Sequence, residues 1–85
     1  MTIIRPGLFL VMNRFPDRKN TLRQLYRSSE FFESLCLNYQ KCSDALVYWG
    51  KSESKQATDR HEEYSELLQE LELEIIQILE NGKQQ

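Results

Sequence analysis

The side chains of this chain that are best suited to chemistry are two cysteines and a single histidine. On one helix, Cys36 and Cys42 would be separated by about 9 Å of rise and about 120° of rotation. They cannot bond to each other, because a disulfide requires Cα atoms within about 7 Å, and a metal pair on a helix is expected at spacings of three or four. We interpret both as buried free thiols in a reducing compartment, with a crosslink between the Cys42 residues of two copies as the alternative.

The histidine is followed by two glutamates, an arrangement that suggests a metal site. His61 has no second histidine to complete H-E-x-x-H, and the Glu-x-x-His motif of di-iron bundles fails because position 58 is Thr. Other glutamates lie along one side of a predicted helix instead of converging across a cleft: Glu63, Glu66, Glu70 and Glu74. Because phosphate-binding loops and nucleophile motifs are also missing, we predict no catalytic, metal or cofactor residues and a protein that is not an enzyme.

Charge is distributed unevenly along the chain. Six of the 11 basic residues but only one of the 13 acidic residues precede position 28. Arg14, Arg18 and Lys19, with Arg23 beyond them, could contact phosphate groups. They could equally neutralise the glutamates of the second half, within the molecule or across a subunit boundary. We favour neutralisation over nucleic-acid binding.

The elements that would position these residues begin after position 20. Residues 1–20 contain both prolines and show no sustained helical or strand period, so they are predicted to form a basic, irregular arm. Within it, Leu8–Met12 could form a short strand or pack as an apolar peg. Met12 opens a polar run and is an alternative translation start.

Two helices are predicted for residues 21–82. Thr21 opens a capping-box sequence, and apolar residues then recur at steps of three and four, giving a helix over 21–49 with Gly50 as its C-cap. A polar turn follows at 50–56. The same alternation predicts a second helix over 57–81, ending at Asn81.

So short a connection predicts an antiparallel helical hairpin in an all-α fold. Both helices carry more apolar residues than one partner helix can cover. We therefore expect a homodimer forming a four-helix bundle. The predicted interface with a second copy or another protein consists of Phe31, Leu35, Cys42, Trp49, Leu73 and Ile76.

The segment Leu35–Leu46, a Trp before the turn, and the helix segment Glu63–Leu71 resemble those of a group of short bacterial proteins of unknown function. The likeness covers about residues 12–80 and implies a helical hairpin without implying any activity. No apolar run is long enough to span a bilayer, so we predict a cytoplasmic protein without membrane contact. The predicted function is a non-enzymatic, self-associating protein-protein interaction module. The alternative is a small nucleic-acid-associated regulator that uses the basic arm.

Overall fold

The computed structural model of the chain describes residues 6–82. Over this range the chain forms four α helices, one 3₁₀ turn and no strand, so the prediction of an all-α fold is confirmed. In chain order these elements are α1 (Pro6–Arg14), the 3₁₀ turn (Pro16–Arg18), α2 (Lys19–Ser28), α3 (Glu30–Lys51) and α4 (Ala57–Gly82). The prediction of two helices was wrong, because residues before position 20 are helical and the predicted first helix is interrupted.

The described part of the predicted irregular arm is helix α1 followed by the 3₁₀ turn, which corrects that prediction. Pro6 occupies the first position of α1, where its missing N–H costs no hydrogen bond. Leu8, Val11 and Met12 recur at helical spacing and are buried. The helix ends before Phe15, whose backbone, with φ −127° and ψ 68°, is outside the helical region that a following proline disfavours.

A single residue separates α2 from α3. Ser29 is extended, with φ −135° and ψ 116°, and its Oγ accepts a hydrogen bond of 3.1 Å from the backbone N–H of Phe32. Its own N–H donates to the carbonyl of Leu25 at 2.9 Å. Ser29 thus closes one helix and caps the next. The predicted cap at Thr21 lies inside α2 instead.

Helices α3 and α4 are connected by residues 52–56. Gly50, the predicted C-cap, lies inside α3, which continues to Lys51. The connection is held by serines: Ser52 Oγ accepts from the N–H of Ser54, and the Ser54 carbonyl accepts from the N–H of Ala57. These short-range hydrogen bonds fix the reversal of the chain.

Contacts between α3 and α4 run in opposite directions along the two helices. Gly50 lies beside His61, Cys42 contacts the carbonyl of Tyr64, and farther from the turn Tyr39 contacts Glu72. Against this pair, α1 packs closely on α3, and α2 packs on both α1 and α3. The buried core is contributed by all four helices: Leu8, Val11, Met12, Leu22, Phe32, Leu35, Cys36, Tyr39, Cys42, Leu71, Ile75 and Leu79.

The α1 contact depends on a glycine. A Cβ placed on Gly7 would lie 2.5 Å from the carbonyl oxygen of Cys36, so only glycine permits this approach of the two backbones. The apolar surface of α3 that was expected to require a second subunit is therefore covered in part by the chain's own N-terminal helix. Across residues 6–82, no helix combines the length and apolar character needed to traverse a bilayer.

Candidate interaction surfaces

A polar network joins α1, α3 and α4 on the side that α1 covers. The guanidinium Nε of Arg14 donates to a carboxylate oxygen of Glu72 at 2.9 Å, and the hydroxyl of Tyr39 donates to the same oxygen at 2.9 Å. The Glu72 side chain is 18% exposed, against 52% for Arg14. Burial, followed by the hydrogen bond to Glu72, raises the pKa of Tyr39 to about 12. The network holds α1 in place and keeps the phenol protonated.

The basic residues predicted to contact phosphate are divided between two roles. Arg14 is engaged with Glu72, and Arg18 donates to the backbone carbonyl of Leu79 at 3.3 Å, near the C-terminal end of α4. Lys19, Arg23 and Arg27 are exposed on α2. Among the described residues, no acidic side chain lies within ion-pair distance of these three. Within residues 6–82, the basic and acidic halves are thus joined by one ion pair, between Arg14 and Glu72.

The thiols are buried and held in their protonated form. Burial raises the pKa of Cys36 to about 12, and burial also raises the pKa of Cys42. The Cys42 thiol donates to the carbonyl of Tyr64 at 3.0 Å, so it faces α4. Neither thiol has the low pKa of a reactive cysteine.

The histidine is exposed and lies beside Gly50, close to Trp49 and Thr58 at the turn. His61 therefore stands outside the main α3–α4 core. Within residues 6–82, no three His, Cys, Asp or Glu side chains come close enough to hold a metal ion.

The six residues predicted for the interface do not form one surface. Leu35 and Cys42 are buried within the chain, which corrects their assignment to an external contact. Cys42 faces α4, and Leu35 belongs to the core that α1 helps to close. Leu73 is exposed, whereas Ile76 is half-buried. Leu73 and Leu67 differ by about 120° around α4, so they face different directions.

Phe31 remains on an uncovered side of α3. It is 61% exposed and lies about 140° around the helix from Cys36, the residue that contacts α1. Trp49, half-buried, lies eighteen positions after Phe31, which returns to the same direction on an ideal helix. The α3 side away from α1 therefore carries two aromatic residues.

The matching side of α4 carries Leu67. It is 43% exposed and lies about 140° from Glu72, which contacts α1 through Arg14. Because α3 and α4 run in opposite directions, equal offsets from their α1 contacts place Phe31 and Leu67 on the same side of the pair. Half-buried Ala45 and Ile78 lie near this side as well. We call this surface the open flank: Phe31, Ala45, Trp49, Leu67 and Ile78.

The two edges of the open flank differ in charge. Lys41 is the charged residue of α3 nearest to the flank, and exposed Glu30 faces within about 20° of it. The α4 edge carries the exposed glutamates Glu63, Glu70 and Glu74. Of the residues described at these edges, only Glu63 has an ion pair, with Arg60 at 3.2 Å. The flank is therefore apolar along its centre, with charges of both signs on its α3 edge and glutamates alone named on its α4 edge.

Sequence reasoning identified Phe31 and Trp49 but missed Leu67 and the Arg14–Glu72–Tyr39 network. The exposure of Leu67 depends on which side of the α3–α4 pair α1 occupies. Glu72 is one of several glutamates in α4. Its place in the sequence, directly after buried Leu71, gave a signal that it borders the core.

Comparison with known protein families, with curated proteins and with solved structures finds no match to this chain. The resemblance to short bacterial helical proteins stays a prediction.

Proposed function

We propose that this protein is a non-enzymatic interaction module that self-associates and binds other proteins through its helical surface. The observation that carries the proposal is the open flank, which leaves Phe31 and Leu67 61% and 43% exposed although the chain has already folded α1 over the opposite side. Apolar side chains exposed along one side of a helical pair, with charged residues at the edges, are found in protein-protein contact surfaces. The buried free thiols support a reducing, cytoplasmic setting for this role.

Several features favour binding over catalysis as the proposed activity. The most perturbed titratable groups, Cys36 and Tyr39, have raised pKa values and are buried in the helical core. A thiol or phenol held protonated is a poor nucleophile or base at neutral pH. The one histidine lies at the turn, away from both groups.

Self-association is tested by sedimentation velocity of the full chain across micromolar concentrations. We expect a reversible shift from the monomer mass to twice that mass as concentration rises, because burial of the open flank is the driving force. A single monomeric species over the whole range contradicts self-association.

Nucleic-acid binding is the second candidate, and the exposure of Lys19, Arg23 and Arg27 favours it. Its test is retention of mixed-sequence DNA or RNA at low salt by the wild type and by a Lys19→Ala/Arg23→Ala/Arg27→Ala variant. Binding that weakens steeply with salt and disappears in the variant supports this candidate. No retention at low salt removes it and leaves the interaction module.

A further inference from the structure

We propose that the open flank is the contact between two copies of this chain, with α3 of each copy lying over α4 of the other. This inference rests on the proposed self-association and specifies its surface and symmetry. Three observations carry it: the exposed apolar centre of the flank, the row of glutamates on its α4 edge with Lys41 on the α3 edge, and the levels at which α3 and α4 meet.

The charges select one of two symmetric arrangements. A two-fold axis perpendicular to the helices and in the plane of the contact would stack α4 on α4. That arrangement brings the edges carrying Glu63, Glu70 and Glu74 together, and like charges in close contact are unfavourable. A two-fold axis parallel to the helices instead separates the two rows of glutamates and places α3, with Lys41 on its edge, over α4 of the other copy.

The positions of residues along the helix axes then determine which side chains form an ion pair between the two copies. Tyr39 is level with Glu72, and Cys42 is level with Tyr64. Lys41 lies between Tyr39 and Cys42, so it is level with the α4 segment that carries Leu67 and Glu70. An axis parallel to the helices preserves these levels. Lys41 therefore meets Glu70 of the partner subunit, twice in the dimer.

The same symmetry brings the apolar residues together. Phe31 lies eight positions before Tyr39, about 12 Å toward the end of α3 that neighbours the last turns of α4. It is thus level with the region of Ile78, while Leu67 faces the middle of the second copy's α3. The contact joins two layers of two helices and places Phe31 of each copy against the last turns of the other copy's α4.

The decisive experiment compares two leucines of α4 by sedimentation velocity of the full chain. Leu67→Glu places a charge in the proposed contact and should weaken dimerisation about tenfold or more. Leu73→Glu introduces the same charge on the same helix, at a residue that is 60% exposed but faces away from the flank. The control should dimerise like the wild type. Far-ultraviolet circular dichroism checks that both variants fold, and Phe31→Ser replaces Leu67→Glu if that variant does not.

A charge exchange tests the symmetry. Lys41→Glu and Glu70→Lys should each weaken dimerisation, and the double variant should restore it because each new lysine again faces a glutamate of the second copy. If the wild type dimerises but Leu67→Glu has no effect, or Leu73→Glu is equally disruptive, the surface is wrong and self-association stands. Loss without restoration in the double variant overturns the proposed pairing of α3 with α4. A wild type that stays monomeric overturns both self-association and this surface.

Discussion

The two sides of the α3–α4 pair differ in what covers them. On one side, α1 packs so closely that Gly7 meets the backbone of Cys36, and Arg14 reaches across to Glu72. On the other side, Phe31 and Leu67 remain largely exposed. The chain thus supplies its own cover for one flank and leaves the second available. Apolar surface that two paired helices cannot bury against each other therefore does not by itself require a second subunit, because a short terminal helix can cover part of it.

The largest effect is expected when most of α1 is removed from the α3–α4 pair. A chain that begins at Met12 lacks Leu8 and Val11, which are 6% and 0% exposed. At about 1.5–3 kcal/mol for each buried side chain, we expect a loss of about 3–6 kcal/mol from the free energy of unfolding. Small domains have about 5–15 kcal/mol in total, so the truncated chain should unfold at much lower urea.

The control for this truncation is Phe9→Ala, since Phe9 lies in the same helix but is 52% exposed. It should change the urea midpoint only slightly. Circular dichroism in a urea titration gives both values. A truncated chain with the wild-type urea midpoint would show that packing of α1 on the α3–α4 pair does not stabilise the fold.

The amphipathic pattern of the two long helices could be predicted from sequence, because steps of three and four place Phe32, Cys36 and Tyr39 on one face of α3. All three are buried. The same pattern on α4 placed Leu71 and Ile75 on its inward face, where both are buried. Long periodic segments carry enough residues to define a face.

The rest of the fold depended on short-range or tertiary effects. Helix α1 has nine residues, too few for a clear period, and its Pro6 and Gly7 suggested a loop. The break at Ser29 replaces one helical residue with an extended one and leaves the apolar spacing nearly unchanged. Which flank α1 covers follows from the approach of Gly7 to α3, and no local pattern encodes that choice. The predicted interface consequently mixed buried and exposed residues.

A smaller effect is expected from weakening the Arg14–Glu72–Tyr39 network, on the side of the α3–α4 pair that α1 covers. Tyr39→Phe removes the 2.9 Å hydrogen bond to Glu72 and should cost about 1–2 kcal/mol at neutral pH, since the acceptor is charged. Tyr48→Phe is the matched control, because Tyr48 is 64% exposed. Urea unfolding of the two variants and the wild type measures the difference. Equal urea midpoints for the two variants and the wild type would show that the Tyr39–Glu72 hydrogen bond does not stabilise the fold.

The same variant gives a pH signature. The pKa of Tyr39 is raised to about 12 in the folded chain, above the value of about 10 for a free tyrosine. The protonated phenol therefore contributes stability that is complete below about pH 10 and is lost as the pH rises toward 12. The advantage of wild type over Tyr39→Phe should shrink across this window. Cys36 titrates at high pH in both chains, so its effect cancels from the comparison.

The smallest effects come from two helical glycines, and their signs should be opposite. Gly7→Ala places a Cβ 2.5 Å from the Cys36 carbonyl oxygen and 2.9 Å from its carbon, so α1 must move away from α3. We expect this strain, about 1–3 kcal/mol, to exceed the gain of about 1 kcal/mol that alanine brings to a helix. The melting temperature should fall by a few degrees.

Gly50→Ala is the counterpart near the C-terminal end of α3, away from the contact with α1. The nearest neighbour of its new Cβ would be the His61 ring at 3.7 Å, an ordinary contact, and Gly50 has no left-handed backbone to preserve. Alanine should therefore raise the melting temperature slightly, by less than the full helix preference because Gly50 lies one residue from the end of α3. Thermal unfolding by circular dichroism measures both changes. If Gly7→Ala is as stabilising as Gly50→Ala, α1 does not meet α3 backbone to backbone.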